Sequence, residues 1–198
     1  MIAKNPDLTF AFSNGCPEVS FIWMRDDVRC KMRIDYLKPI SRDGKIILGI
    51  GDLKSLGRDW RTDDFVQSCY NAVDDWDYHV QAYDYLDGAL HIKKAITDGL
   101  VHYHNERRFD QILERLTQAE AMAWQWVFHK TTGAPKTHSM VLSPGSQFLS
   151  EGRDIVARGI ANYREWMERK GANEMWVEPT PVHEAQFERM PKRQYYGR

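Results

Sequence analysis

The sequence predicts an α/β protein, because two hydrophobic periodicities alternate along the chain. Some segments alternate apolar and polar residues with a period of two, and longer segments repeat apolar residues every three to four positions. The first pattern is typical of strands and the second of amphipathic helices. Of the 198 residues, 42% are hydrophobic and 28% are charged, which indicates a packed interior and not long disorder. We expect one domain over residues 1–198, with a core at about 15–170 and a polar tail at 171–198.

The first three predicted elements are strands. Residues 18–23 and 30–36 alternate, and the polar segment 25–27 between them predicts a hairpin turn. A turn at 39–44 then leads into the apolar, β-branched segment 45–54, which is typical of a central strand. On the second strand the period of two places four residues on one face, and these are Cys30, Met32, Ile34 and Tyr36.

One long helix is predicted next, and it begins at a cap formed by Thr62 or Asp63. Its apolar positions recur at helical spacing: Phe65, Cys69, Val73, Trp76, Val80, Tyr83 and Leu86. Gly88 marks its end or a kink. Residues 89–116 are predicted to be helical again, with a bend at 105–110.

The last predicted elements are a β-hairpin and a helix. Residues 120–129 alternate large apolar side chains, and after Gly133 and Pro135 the segment 138–143 predicts a partner strand. A helical apolar stripe over 149–170 predicts a terminal amphipathic helix.

Composition excludes several classes of protein. The three cysteines form no CxxC pair, so we expect neither a disulfide framework nor a zinc knuckle, and all three are predicted to be buried small hydrophobes. No segment approaches the ~20 apolar residues of a membrane span. The N-terminal residues lack the pattern of a signal peptide, so we expect a cytoplasmic protein with no membrane association.

The net charge of −1 neither predicts nor excludes a nucleic-acid partner, so any basic surface must be local. Four cations are candidates for a basic rim that contacts duplex DNA: Lys93, Lys94, Arg107 and Arg108. The alternative is that these four are ordinary solvated helix residues.

Three charged residues lie near the ends of the second and third strands. Asp35 is on the second, and Asp52 and Lys54 follow the apolar part of the third. A hairpin brings such strand ends together, so the two carboxylates could hold one hard cation. Lys54 shares a face with Asp52, where its ammonium could act on a metal-bound water and offset charge on a phosphate under attack. This pattern predicts a phosphodiesterase site, although an isolated DxK triplet also occurs by chance.

A helical row accompanies these residues. Tyr78, Gln81 and Tyr85 are spaced at i, i+3 and i+7, so they lie on one side of the predicted helix. The row either faces the cleft, where it would touch the scissile phosphate or the terminal base, or packs the helix against its neighbours.

Four segments in order resemble the PD-(D/E)xK nuclease superfamily, in its RecE-like, lambda-exonuclease-like branch. They are PEVSFIW at 17–23, CKMRIDYL at 30–37, GDLKS at 51–55 and DYHVQAYDYLDG at 77–88. The resemblance runs from about Gly15 through WQWVFHKTTGAP to the helix at 152–163. It implies a restriction-endonuclease-like core, a central mixed β-sheet flanked by helices.

The resemblance also implies a set of site residues. Asp35, Asp52 and the Leu53 carbonyl would be metal ligands, Lys54 the catalytic lysine and Gln81 the motif glutamine. The implied cofactor is Mg²⁺ or Mn²⁺, as one or two ions.

Glu18 matches a family glutamate on the first strand. It would either support the metal ligands or brace Arg33 across the hairpin. Members of this branch usually carry an upstream helical region with a His and an acidic residue, and only 17 residues precede Glu18 here. The second ion would then be weakly held, or another chain would complete the site.

The activity implied by the resemblance is metal-dependent exonuclease hydrolysis at double-stranded DNA ends, in phage or prophage recombination. The implied partners are a single-strand annealing recombinase and further copies of the chain, in the cytoplasm of a bacterial or phage-infected cell. Two alternatives stay open: a catalytically incomplete nuclease fold that binds DNA or protein, and a structure-specific endonuclease. A third is an α/β protein in which the DLK triplet is accidental.

Overall fold

The computed structural model describes residues 12–102, 108–142 and 145–173. The described elements, in chain order, are β1 (Cys16–Arg25), β2 (Val28–Arg42), β3 (Lys45–Leu56), α1 (Phe65–Asp75), α2 (Tyr78–Ala89), α3 (Ile92–Thr97), α4 (Arg108–Thr117), β4 (Ala121–Lys130), β5 (Thr137–Leu142) and α5 (Gln147–Lys170). The chain divides into two compact units, Met1–Asn162 and Tyr163–Arg198.

The five strands form one mixed sheet in the order β1-β2-β3-β4-β5. The pairs β1–β2, β2–β3 and β4–β5 are antiparallel, whereas β3 and β4 are parallel. A parallel pair needs a crossover, and the helices between β3 and β4 supply it. The prediction of an α/β protein is therefore confirmed, and so is the predicted hairpin of the last two strands.

The main core lies where α1 and α2 pack with side chains of the sheet. Its largest fully buried members are Trp124, Trp126 and Phe128 of β4, and Cys69 and Val73 of α1 belong to the same cluster. The central strand β3 is buried from Leu48 to Asp52, as its apolar sequence predicts.

The predicted long helix is wrong, because the chain forms two helices. α1 ends at Asp75, and α2 begins at Tyr78 after Asp77, whose φ of 50° is left-handed and incompatible with a continuous helix. The apolar spacing in the sequence runs across this break, but it does not follow the core there: Trp76 is 70% exposed, and α2 buries Ala82 and Ala89 in the core. The first helix is capped by Asp64, not by Thr62 or Asp63: the Asp64 side chain accepts a hydrogen bond from Val66 N.

The turn between the second and third strands is shorter than predicted. β2 continues to Arg42, and Pro39 pairs with Leu48 inside the strand. β1 begins at Cys16, opposite Leu37, so no described strand pairs with β2 on that side at Pro39, a position at which a strand tolerates proline. The turn itself is Asp43-Gly44, with φ values of 51° and 76°.

The region after α2 contains two shorter helices, α3 and α4. The predicted bend at 105–110 lies partly outside the described residues, as does Ser143 of the predicted fifth strand. Among the cysteines, Cys16 and Cys69 are buried, but Cys30 is only partly buried, so that part of the prediction is wrong. In the described ranges, no helix is long and apolar enough to cross a membrane.

Candidate active site

Strands β2 and β3 separate at the point where the predicted catalytic residues lie. Their pairing runs from Arg42–Lys45 to Tyr36–Gly51 and goes no further. Beyond that point β2 stays paired with β1, and β3 stays paired with β4. Asp35 and Asp52 are the first residues past the last pair, and we call this opening the fork.

The side-chain alternation of β2 shifts at the fork. The main core includes three residues of β2: Met32, Ile34 and Leu37. Ile34 and Leu37 are three residues apart, whereas regular alternation places residues of one face two apart. Tyr36 instead packs edge-on against Phe12, with ring centroids 5.6 Å apart, so its predicted place beside Met32 and Ile34 is wrong. Such irregularities in a strand change where neighbouring side chains point.

β1 has its own irregularity opposite this shift. Glu18 has a φ of 56°, a left-handed value that non-glycine residues rarely adopt in a strand. Its neighbours Pro17 and Val19 pair with Tyr36 and Ile34, so the distortion faces Asp35 across the ladder. Residues held in sparsely populated backbone regions concentrate at functional sites.

Asp35 faces the backbone of β3 across the fork. Its Oδ2 accepts a hydrogen bond from Leu53 N at 2.8 Å. This replaces a ladder hydrogen bond, because no strand pairs with β3 on that side at Leu53. The N–H and C=O of one strand residue point to the same side, so the Leu53 carbonyl also faces the fork.

Asp52 is 4% exposed and lies between Lys54 and Gln81. Its Oδ1 accepts hydrogen bonds from Lys54 Nζ at 3.1 Å and from Gln81 Nε2 at 3.4 Å. Lys54 Nζ is also 2.9 Å from Oδ2, but without hydrogen-bond geometry, so no described residue donates a hydrogen bond to this buried oxygen. Burial raises the Asp52 pKa and the negative charge of Asp35 raises it further, whereas Lys54 opposes the shift.

Lys54 is held on three sides. Besides Asp52, its Nζ donates to Gln81 Oε1 at 2.8 Å and lies 4.3 Å from the centroid of the Tyr78 ring. Gln81 and Tyr78 both come from α2, so this helix fixes the position of the ammonium. Cation–π and hydrogen-bond contacts of this kind hold a lysine charge at a defined place.

The third member of the predicted row has a packing contact. The Tyr85 hydroxyl accepts a hydrogen bond from Arg33 N at 3.4 Å, and the ring packs edge-on against Trp124 at 5.9 Å. Arg33 N also lies on the side of β2 that β3 has left. The contacts of Tyr85 are therefore those of the packing alternative, whereas Tyr78 and Gln81 contact Lys54.

The Glu18 side chain pairs with a cation of the neighbouring strand. Its Oε2 accepts a hydrogen bond from Arg33 Nε at 2.6 Å, and both side chains are more than half exposed. This is the bracing arrangement, one of the two roles predicted for Glu18.

The predicted metal ligands all border the fork. Asp35, Asp52 and the Leu53 carbonyl could offer oxygen ligands to one divalent cation, and the Asp52 Oδ2 atom that receives no hydrogen bond is the kind of oxygen that a cation would satisfy. Mg²⁺ commonly binds to one or two carboxylates and completes its shell with water and substrate phosphate. Within the described ranges no three His, Cys, Asp or Glu side chains converge on one point, so they provide no further carboxylate for a second ion.

The predicted basic rim is only partly described. Lys94 forms an ion pair with Asp98 in the next turn, so its charge is locally neutralised. Arg107 and the side chain of Arg108 lie outside the described residues. The alternation of β2 predicts that Lys31 and Arg33 share the face of Asp35, a face for chemistry or solvent. Both are exposed in the structure, and Arg29, which was not predicted as part of this face, extends the row.

Comparison with known proteins adds no family to this geometry: no protein-family model matches the chain, and no curated protein does.

Proposed function

We propose that the chain is a metal-dependent deoxyribonuclease with a restriction-endonuclease-like core, acting as an exonuclease at double-stranded DNA ends. The observation that carries the proposal is the fork. There, a buried carboxylate with one oxygen lacking a hydrogen bond lies beside a lysine held by three side chains. A second carboxylate, Asp35, lies across the opening.

In this mechanism Asp35, Asp52 and the Leu53 carbonyl would hold Mg²⁺ or Mn²⁺. The ion, when bound, would polarise the scissile phosphate and lower the pKa of a coordinated water. Lys54 would orient the attacking water and offset the negative charge that builds on the phosphate. Gln81 and Tyr78 are positioning residues that keep Nζ at that place.

The choice of DNA ends as substrate rests on the four ordered segments that resemble the RecE-like, lambda-exonuclease-like branch. The same resemblance supports the annealing recombinase, assembly of several copies and a role in phage or prophage recombination. The geometry of the fork supports hydrolysis of a phosphodiester by itself, whichever nucleic acid supplies it.

The second candidate is a binding module that retains the fold without turnover. It is favoured by the ligand count, since the described residues bring only two carboxylates to the fork. Internal cutting by a structure-specific endonuclease would use the same residues at the fork, and only the substrate form would differ.

Digestion of linear and covalently closed circular duplex DNA, each with and without Mg²⁺ or Mn²⁺, separates these functions. We expect metal-dependent loss of the linear DNA only, because an exonuclease needs an end. Cutting of the closed circle would show an endonuclease. Intact DNA in both lanes, with the protein still bound to it, would show a binding module.

A further inference from the structure

The solvent face of the β1–β2 hairpin carries a row of cations that leads to the fork. Arg29, Lys31 and Arg33 occupy alternate positions of β2, and all three are exposed. Alternate residues of a strand share a face and are about 7 Å apart. Arg33, the last of the row, lies two residues before Asp35 along β2, so the row ends beside the fork on the solvent face of the sheet.

Two of these cations are available to a ligand. Arg33 is paired with Glu18, but no described residue makes a hydrogen bond or ion pair with the side chain of Arg29 or Lys31. The row is bounded at the hairpin turn, where Asp26 and Asp27 are exposed. Its accessible positive charge therefore lies between the turn and the fork.

The neighbouring strand presents apolar side chains beside these cations. Met24 pairs with Arg29 and Ile22 pairs with Lys31, and these two apolar side chains are 55% and 59% exposed. An exposed face that alternates cations with apolar groups matches the phosphates and sugars of a nucleic-acid strand. A protein partner of neutral surface would leave the two cations without counter-charges.

We propose that this hairpin face binds the sugar–phosphate backbone of the DNA whose end lies at the fork. The inference rests on the proposed function for the identity of the ligand. Arg29 and Lys31 each neutralise one phosphate, and Ile22 and Met24 contact the sugars between them. The strand backbone holds the row rigid, so the phosphates are positioned relative to Asp35.

Fluorescence anisotropy with an end-labelled linear duplex, in EDTA and over a series of salt concentrations, tests the inference. The variant is Arg29→Gln with Lys31→Gln. Each lost phosphate contact lowers the slope of log affinity against log salt by about 0.9, so we expect the slope to become shallower by about 1.8 and the affinity to fall. The matched control is Arg42→Gln with Lys45→Gln, which removes two exposed charges at the opposite end of β2 and should leave the slope unchanged.

An unchanged slope in the hairpin variant, an equal change in the control or no binding by the wild-type chain would overturn the inference. A further contradicting result is that the wild-type chain self-associates, and that the hairpin variant loses this self-association but keeps the wild-type slope of log DNA affinity against log salt. The hairpin face would then join two copies of the chain. Digestion with Mg²⁺ is measured in parallel. If the slope is shallower in the hairpin variant but the wild type does not cleave DNA, only the proposed nuclease activity is contradicted. If the wild type cleaves DNA but the slope is the same in both proteins, only the hairpin proposal is contradicted.

Discussion

Asp52 is the residue on which the proposed chemistry of the fork depends. It is buried, yet it must be ionised to bind a cation, and its raised pKa shows that burial outweighs the help from Lys54. The native state therefore holds this proton more tightly than the unfolded chain does. In the metal-free protein the ionised Asp52 carboxylate lowers stability, and a cation would offset that loss.

This argument predicts a pH dependence. Above the ordinary aspartate pKa of about 4, the unfolded chain releases the proton first, so the free energy of unfolding falls as pH rises through the raised value. In the variant Asp52→Asn the side chain cannot ionise, so its free energy of unfolding lacks this decline. The measurement is urea unfolding in EDTA at a series of pH values. We expect the free energy of unfolding of the variant minus that of the wild type to increase with pH. A difference that is constant or shrinks would contradict the raised pKa.

At the scale of elements, helix α2 builds the site because it fills the fork. The Tyr85 hydroxyl accepts a hydrogen bond from Arg33 N of β2, while Gln81 and Tyr78 contact Lys54 of β3. Helix α5 approaches α2 closely at Gly152. A Cβ added at Gly152 would lie 2.8 Å from the His79 carbonyl oxygen and 2.9 Å from Tyr83 Cβ, so the two helices approach closely there.

Substitution of two glycines in α5 tests this close approach. Gly152→Ala should destabilise the fold by about 1–3 kcal/mol, because the new methyl group meets backbone that cannot move cheaply. Gly159→Ala is the matched control on the same helix, where a Cβ meets nothing within 4 Å. The control should gain about 1 kcal/mol from helix propensity. Thermal unfolding followed by circular dichroism measures both, and equal effects would contradict the packing.

The elements also show where sequence reasoning succeeds. The three N-terminal strands, the β4–β5 hairpin and the last helix were predictable for different reasons. β2 and β4 alternate, β3 is a continuous apolar segment that is buried from Leu48 to Asp52, and the last helix repeats apolar residues at helical spacing although only its Gly152 is buried. The helix break at Asp77 was not predictable, because the apolar spacing in the sequence continues across it even though Trp76 is exposed. The turn was predicted to begin too early because Pro39 resembles a turn residue, and only the pairing of Pro39 with Leu48 shows that the strand continues.

For the site, the sequence predicted that Asp35, Asp52 and Lys54 lie close together, but it placed them at strand ends, which is wrong. Asp35 lies in the middle of β2, and Asp52 and Lys54 lie inside β3, at the point where the two strands separate. The sequence did not predict that β2 and β3 would separate there, because the shift between Ile34 and Leu37 interrupts an otherwise regular alternation. The hydrogen bond that Leu53 N donates to Asp35 Oδ2 follows from that separation. Contacts of this kind depend on the register of two strands and leave no pattern in either one.

At the scale of the whole molecule, a cation at the fork should stabilise the fold. A ligand that binds only the native state adds about 2.7 kcal/mol at one hundred times its dissociation constant. We expect Mg²⁺ or Mn²⁺ to raise the melting temperature of the wild-type chain, and Asp35→Asn and Asp52→Asn to abolish the rise. Glu18→Gln is the control that should keep it, since Glu18 pairs with Arg33. A rise of equal size in all four proteins would place the cation elsewhere.

The central claim is that the fork hydrolyses DNA with Lys54 as a catalytic residue, and one measurement tests it most directly. It is the rate of Mg²⁺-dependent release of nucleotides from an end-labelled linear duplex by the wild type, Lys54→Ala and the control Lys45→Ala from the same strand. Loss of one transition-state contact typically lowers a rate by about 10²–10³. We expect a loss of that size or greater in Lys54→Ala, with folding and metal-induced stabilisation retained and with Lys45→Ala at the wild-type rate. Equal rates in all three proteins, or loss of folding in Lys54→Ala, would contradict the assignment.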